Sequence, residues 1–224
     1  MDPGRPGRRR RGSARERRGK GGSKVKRLRV VTLQVSLGLL AALVAAPVVA
    51  EAPPASGAKA NEDAAARYFT NTKLVDQDGK VRHFHDDLLR GKKVLINVAF
   101  TSCKGACPAM TANLAKVQRL LGARMGKEIH IITVTADPEN DTPAVLKQYA
   151  DRHGATAGWY FLTGAPDDVN KVLGRIGGLL RKPEDHATTL YVGNLSTGNW
   201  VKTQATARPE DIVYLVDHLD DPKR

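Results

Sequence analysis

Apolar positions along this chain switch repeatedly between two periods, and each block is short. Val94-Leu-Ile-Asn-Val-Ala-Phe100 is almost continuously apolar, which predicts a strand covered on both faces. From Met110 the apolar positions fall at 110, 114, 117 and 121, one stripe of a helix that Cys107-Pro108 opens. Ile129–Thr135 (IHIITVT) predicts the next buried strand. Thr142-Pro143 reads as an N-cap with proline at the first helical position, leading a helix with Val145, Leu146, Tyr149 and Ala150 inward. Trp159–Leu162 predicts a strand, and Pro166 starts a helix with Val169, Val172, Leu173 and Ile176 on one face. Thr188–Val192 predicts a strand with Trp200–Thr203 as its hairpin partner, and Pro209 opens a last helix carrying Ile212, Leu215, Val216 and Leu219. Ahead of them all, Phe69 to Phe84 holds an Asp78-Gly79 turn between two alternating stretches, a hairpin signal. The order ββ-β-α-β-α-β-α-β-β-α predicts an α/β fold: a central mixed sheet flanked by helices, with an N-terminal hairpin.

Composition changes the picture at one end only. The chain has 224 residues and a formal net charge of +13, a balance that taken whole suggests a nucleic-acid binder. Residues 1–29 carry 13 Lys/Arg against Asp2 and Glu16, so +11 of that charge belongs to them. They read as a basic, disordered, cytoplasmic tail, and no nucleic acid is expected as a partner of the nearly neutral remainder. Val30 to Ala50 is 21 residues without a charge, about 30 Å of helix and enough to cross a bilayer. Bases on its N-terminal side keep the tail inside and send everything after Glu51 out. Two readings stand: an uncleaved transmembrane anchor, or a signal segment cut near Val48-Val49-Ala50 or Ala50-Glu51-Ala52. Either puts the domain on the periplasmic, extracytoplasmic side, membrane-anchored or secreted. Residues 51–64 read as a linker and 65–220 as one domain with a single core.

Two cysteines exclude a disulfide-stapled scaffold and a four-cysteine zinc site. Both stand where a buried strand gives way to a helix, Phe100-Thr-Ser-Cys103-Lys-Gly-Ala-Cys107-Pro108. That C-terminal edge is where open α/β sheets bind ligands. With Pro108 at the first helical position, Cys107 becomes the N-cap at the positive end of the helix dipole, which predicts a lowered thiol pKa. Gly105 is expected to let the loop curl, so that Cys103 approaches Cys107. The plainer alternative is a pair of structural thiols or an inert disulfide. One residue more than Cys-x-x-Cys weakens the case for simple redox exchange and suits two sulfurs gripping one soft cation. Thiolates select Cu(I), and imidazole suits copper as well.

Six histidines are available for that role: 83, 85, 130, 153, 186 and 218. His83 and His85, two apart on a strand, would share a face and could chelate, or belong to a polar surface strand. His130 inside a strand, His153 at a helix end before Gly154 and His218 in the last helical turn read as structural. His186 differs. It follows the polar loop Arg181-Lys-Pro-Glu-Asp185 and immediately precedes the Thr188–Val192 strand.

F-T-S-C-x-x-x-C-P (100–108), T-V-T-A-D-P-E-N-D-T-P (133–143) with V-L-K-Q-Y-A (145–150), W-Y-F-L-T-G (159–164) and D-H-A-T-T-L-Y-V (185–192) together resemble the Sco/SenC family. The resemblance covers roughly residues 65–220. It implies a thioredoxin-like fold, in which the loop before the Thr188–Val192 strand faces the cysteine pair. It also implies a copper chaperone for the binuclear copper centre of cytochrome c oxidase, with copper held by Cys103, Cys107 and His186. Thiol–disulfide exchange through the same cysteines is implied too. Cu(I), Cu(II) or both stay open. The implied partners are the copper-bearing oxidase subunit, other copper chaperones or thiol reductases, and the membrane. Ser102 and Lys104-Gly105-Ala106 depart from the aromatic and acidic residues common in that loop, and Val192–Gly198 departs from an Asp-Pro-x-Gly turn. Asp137 and Asp141 match family acids, and turn and capping duty explains them. Three functions follow: a metallochaperone, a binding module and not an enzyme; a thiol–disulfide oxidoreductase that reduces the oxidase copper-site cysteines without His186; and a peroxidase or redox sensor, for which Lys104 is the only base in the loop.

Overall fold

β3 (Lys93–Ala99) and β4 (Ile129–Thr135) lie side by side and parallel, in register from Lys93↔Ile129 to Ala99↔Thr135. Both strands are buried over nearly their whole length, as their largely apolar and β-branched sequences favour. The computed structural model describes residues 56–179 and 188–221. Among these, one sheet runs in the order β2-β1-β5-β4-β3-β6-β7. The remaining strands are β1 (Lys73–Asp76), β2 (Val81–His83), β5 (Trp159–Thr163), β6 (Thr189–Asn194) and β7 (Asn199–Gln204). β4 and β5 are parallel, while β1–β2, β1–β5, β3–β6 and β6–β7 are antiparallel, so the sheet is mixed.

Alternation along β3 divides the core. Leu95 faces a cluster built on α2 (Cys107–Leu121), α3 (Pro143–Arg152) and α5 (Pro209–Asp217), including Met110, Leu114, Tyr149, Trp159 and Ile212. Val94, Ile96 and Val98 face the other cluster, under α4 (Pro166–Arg175) and α1 (Ser56–Phe69), with Leu74, Phe84, Val172 and Leu173. Helices therefore cover both faces. Thr142 caps α3 as its sequence predicts, its side chain accepting from the Val145 amide.

Two segments differ from expectation. The stretch read as a linker to residue 64 is helical from Ser56. Five alanines between 58 and 66 favour helix, and Ala65 and Phe69 pack on the sheet. His83 and His85 do not share a strand face, because β2 ends at His83 and a helical turn, Phe84–Leu89, begins. That turn buries Phe84, Leu88 and Leu89 and carries His85 inward, while His83 stays at the surface beside Asp87. Residues 1–50, with the tail and the apolar run, and His186 lie outside the described residues. Among the described residues no helix is long and apolar enough to cross a membrane.

Candidate metal centre

The cysteine loop leaves the sheet at the C-terminal end of β3. Phe100 to Cys103 form a tight turn, with the Cys103 amide donating to the Phe100 carbonyl at 3.3 Å. Cys107 then enters α2 and is fully buried against Ala99 and Phe100, while Cys103 is half-buried and packs on the same cluster with Ala136. The two side chains are hydrogen-bonded to each other. Sequence reasoning thus finds the pair and its meeting point.

It misplaces the cap. Ala106 is the N-cap of α2, accepting the first helical bond from the Met110 amide at 2.9 Å, so Cys107 is already the first residue of the helix and Pro108 the second. One step inward puts the sulfur among apolar side chains. Burial, with the Cys103 hydrogen bond and charge adding to it, pushes the Cys107 thiol up from near 9 to about 12. The expected lowering does not occur, because desolvation outweighs the helix end. Gly105 also has a plainer role than expected. It does not adopt a left-handed conformation, and a Cβ there would sit 3.8 Å from the Cys103 sulfur, an ordinary contact.

These environments predict unequal thiols. At pH 7 iodoacetamide should modify Cys103 first and leave Cys107 largely unreacted, because its thiolate is scarce and its sulfur enclosed. The raised pKa also ties stability to pH: the fold is favoured by this group below about 9 and loses that contribution as pH climbs towards about 12. Peptide mapping checks the order of labelling; equal rates at the two sites at pH 7 would contradict this environment.

The contacts that Asp141, Thr111 and Tyr149 make around the pair escaped the sequence reading. Asp141, assigned only to turn and capping, is 1% exposed and accepts from the Thr101 amide at 3.2 and 3.3 Å and from the hydroxyls of Thr101 and Thr135. Asp137, by contrast, does serve the turn, accepting from the Asn140 side chain at 2.9 Å. Beneath Cys107, one helical turn along α2, the Thr111 hydroxyl meets the Tyr149 hydroxyl at 2.9 Å, and burial raises the Tyr149 pKa. No sequence signal separates these from ordinary core and turn residues.

His130, His153 and His218 have local roles. His130 is buried, its Nδ1 2.9 Å from the Leu88 carbonyl, and burial lowers its pKa. His153 and His218 are the C-caps of α3 and α5. Among the described residues no three His, Cys, Asp or Glu side chains converge as a metal cluster. Two sulfurs placed together are the donor type that a soft cation selects.

A SCO1/SenC family model matches residues 60–192. The chain belongs to the SCO1/SenC family. This Sco chain is 34% identical over 119 residues to the SCO1 protein homolog of Bacillus subtilis (strain 168), a match covering 52% of this chain and 60% of that protein. A solved structure of BsSco, described as a member of the Sco family of cytochrome c oxidase assembly proteins with a disulfide switch, is 27% identical with a TM-score of 0.56. It covers 69% of this chain and 96% of that one. The copper-bound structure of Bradyrhizobium japonicum ScoI is 25% identical with a TM-score of 0.54, covering 66% and 96%. The fold is accordingly thioredoxin-like.

Proposed function

We propose that this Sco protein is a membrane-associated, extracytoplasmic metallochaperone that carries copper to the binuclear copper centre of cytochrome c oxidase. Cys103, Cys107 and His186 are its ligands. The observation that carries the reading is the hydrogen-bonded pair of thiols at the C-terminal edge of the sheet, one enclosed and one half-open. Two soft sulfurs at one point suit Cu(I), and an imidazole added to them suits Cu(II). The β3–β6 register supports His186 as the third ligand. Leu190 pairs with Asn97 antiparallel, so β6 begins beside the end of β3 from which the cysteine loop departs. The copper-bound ScoI neighbour supports the cargo, the BsSco neighbour supports the oxidase role, and the uncharged run 30–50 supports attachment to the membrane. The oxidase subunit that bears the copper is the recipient.

A second reading has an observation of its own. Sulfurs close enough to share a hydrogen bond are also disposed to form a disulfide, which fits a thiol–disulfide oxidoreductase that reduces the recipient's cysteines. That activity needs both cysteines and not the histidine, so the histidine separates the two readings. The test is an anaerobic titration of the reduced protein with Cu(I), followed by Cu(II), wild type beside His186→Ala. The chaperone site predicts that the variant keeps a two-thiolate Cu(I) site and loses Cu(II). Equal stoichiometry and affinity for both ions in both proteins would remove His186 from the site and leave the oxidoreductase ahead.

A further inference from the structure

Asp141 is a buried carboxylate with no cationic partner among the described residues, an arrangement that costs free energy unless hydrogen bonds replace the lost water. Its donors come from two adjacent strand ends. Ala99 and Thr135 are in register at the C-terminal ends of β3 and β4, and the Ala136 amide donates to the Ala99 carbonyl at 3.0 Å. Just beyond, Thr101 offers its amide and hydroxyl from one side and Thr135 its hydroxyl from the other. The Thr135 oxygen in turn accepts from the Asp137 amide at 2.9 Å, and the Asp141 amide donates to the Asp137 carbonyl at 2.9 Å, so the loop bearing the carboxylate is itself closed.

Thr101 is the residue after Phe100 in the turn whose last amide is that of Cys103. Holding Thr101 by both its backbone and its side chain therefore fixes the direction in which the turn delivers the Cys103 sulfur. The other end of the loop is already fixed, since Cys107 is fully buried in the first turn of α2. We propose that Asp141 is the positioning residue of the cysteine pair, gripping Thr101 so that Cys103 is held within reach of Cys107. Preorganisation of this kind removes an ordering cost from every event that joins the two sulfurs, whether by a metal or by a bond. Residues that orient ligands without touching the ion change metal affinity by about 10- to 100-fold when replaced.

The copper half of this inference rests on the proposed function, so its test has a copper-free arm. Full-length wild type, Asp141→Asn and Thr101→Ala are equilibrated in dithiothreitol buffers. There the two thiols pass two electrons and two protons to oxidised dithiothreitol as the disulfide forms, and the thiols remaining are counted by alkylation. Cu(I) affinity is then measured by competition with a chromophoric chelator, and apo melting is recorded for each protein. Asp141→Asn should shift the dithiol–disulfide equilibrium about tenfold towards dithiol, which is about 30 mV for two electrons, and weaken Cu(I) by at least tenfold. Thr101→Ala removes one hydroxyl and keeps the amide bond; it should move both quantities in the same direction by about threefold, and it carries the test if the Asn variant does not fold. A lower melting temperature with both constants at wild-type values makes Asp141 purely structural and overturns the proposal. Wild type that shows the redox shift between variants and yet takes up no Cu(I) through its cysteines leaves the positioning role standing and overturns the chaperone reading.

Discussion

Replacing Cys107 with Ser should abolish tight Cu(I) binding, with an affinity loss of about a thousandfold or more. The serine hydroxyl is a hard, neutral oxygen at pH 7, and a soft monovalent cation gains little from it after losing a thiolate. The substitution is nearly isosteric, yet Cys107 is fully buried against Ala99 and Phe100, and a hydroxyl there costs about 1–3 kcal/mol unless it finds an acceptor. The variant should therefore melt somewhat below wild type and still fold. Cys103→Ser supplies the comparison: its site is half-buried, so copper binding should fail equally while stability changes less. Chelator competition on both variants, read beside their melting curves, checks the pair. Retention of wild-type affinity by either variant would mean that copper is held elsewhere.

The largest effect on the fold should come from a position far from the chemistry. Gly158 precedes β5 and adopts a φ of 92°. A Cβ there would lie 2.5 Å from the Gly126 Cα and 3.1 Å from the Met125 carbonyl carbon, and backbone cannot swing aside as a side chain can. Both segments are also held in place: the Ile131 amide donates to the Gly158 carbonyl and the Gly126 amide to the Ile129 carbonyl, each at 2.9 Å. Gly158→Ala combines a left-handed backbone with a direct collision, and should cost more than about 3 kcal/mol. In urea that lowers the midpoint by about 1 M or more. Gly105→Ala, at the active loop, should change stability by less than about 0.5 kcal/mol, because its Cβ meets only an ordinary contact. Reversed magnitudes would show that the cysteine loop and not the β4–β5 approach is the strained part.

The layers of this fold are legible in sequence because strands buried on both faces carry few polar positions and no regular polar alternation. Val94–Phe100 and Ile129–Thr135 declare themselves as central strands, and the stripe from Met110 to Leu121 declares the helix that follows. Helix α1 was legible only in part. Its alanines favour helix, but the Pro-Pro, Ser and Gly ahead of them read as a linker, and the contact of Phe69 with the sheet is tertiary. The His83–His85 pair failed for a related reason: nothing local says that β2 stops after three residues and that Phe84 and Leu88 draw the chain into a helical turn. At the site, the residue types were legible and their environments were not. The cap lies one residue earlier than expected, at Ala106, and burial of the Cys107 sulfur, which no local pattern records, raises the thiol pKa where the helix end alone suggested a lowering. Asp141 looks like any acid in a turn. Its grip on Thr101 exists only because β3 and β4 end in register, which no single stretch of sequence records.

X-ray absorption at the copper edge of the reduced, Cu(I)-loaded protein tests the central claim most directly, since it counts the atoms around the ion. The account predicts two sulfur scatterers and one nitrogen, with the nitrogen lost in His186→Ala and the sulfur shell lost when Cys103 and Cys107 are both replaced by Ser. A first shell of nitrogen and oxygen alone in the wild-type protein would contradict it.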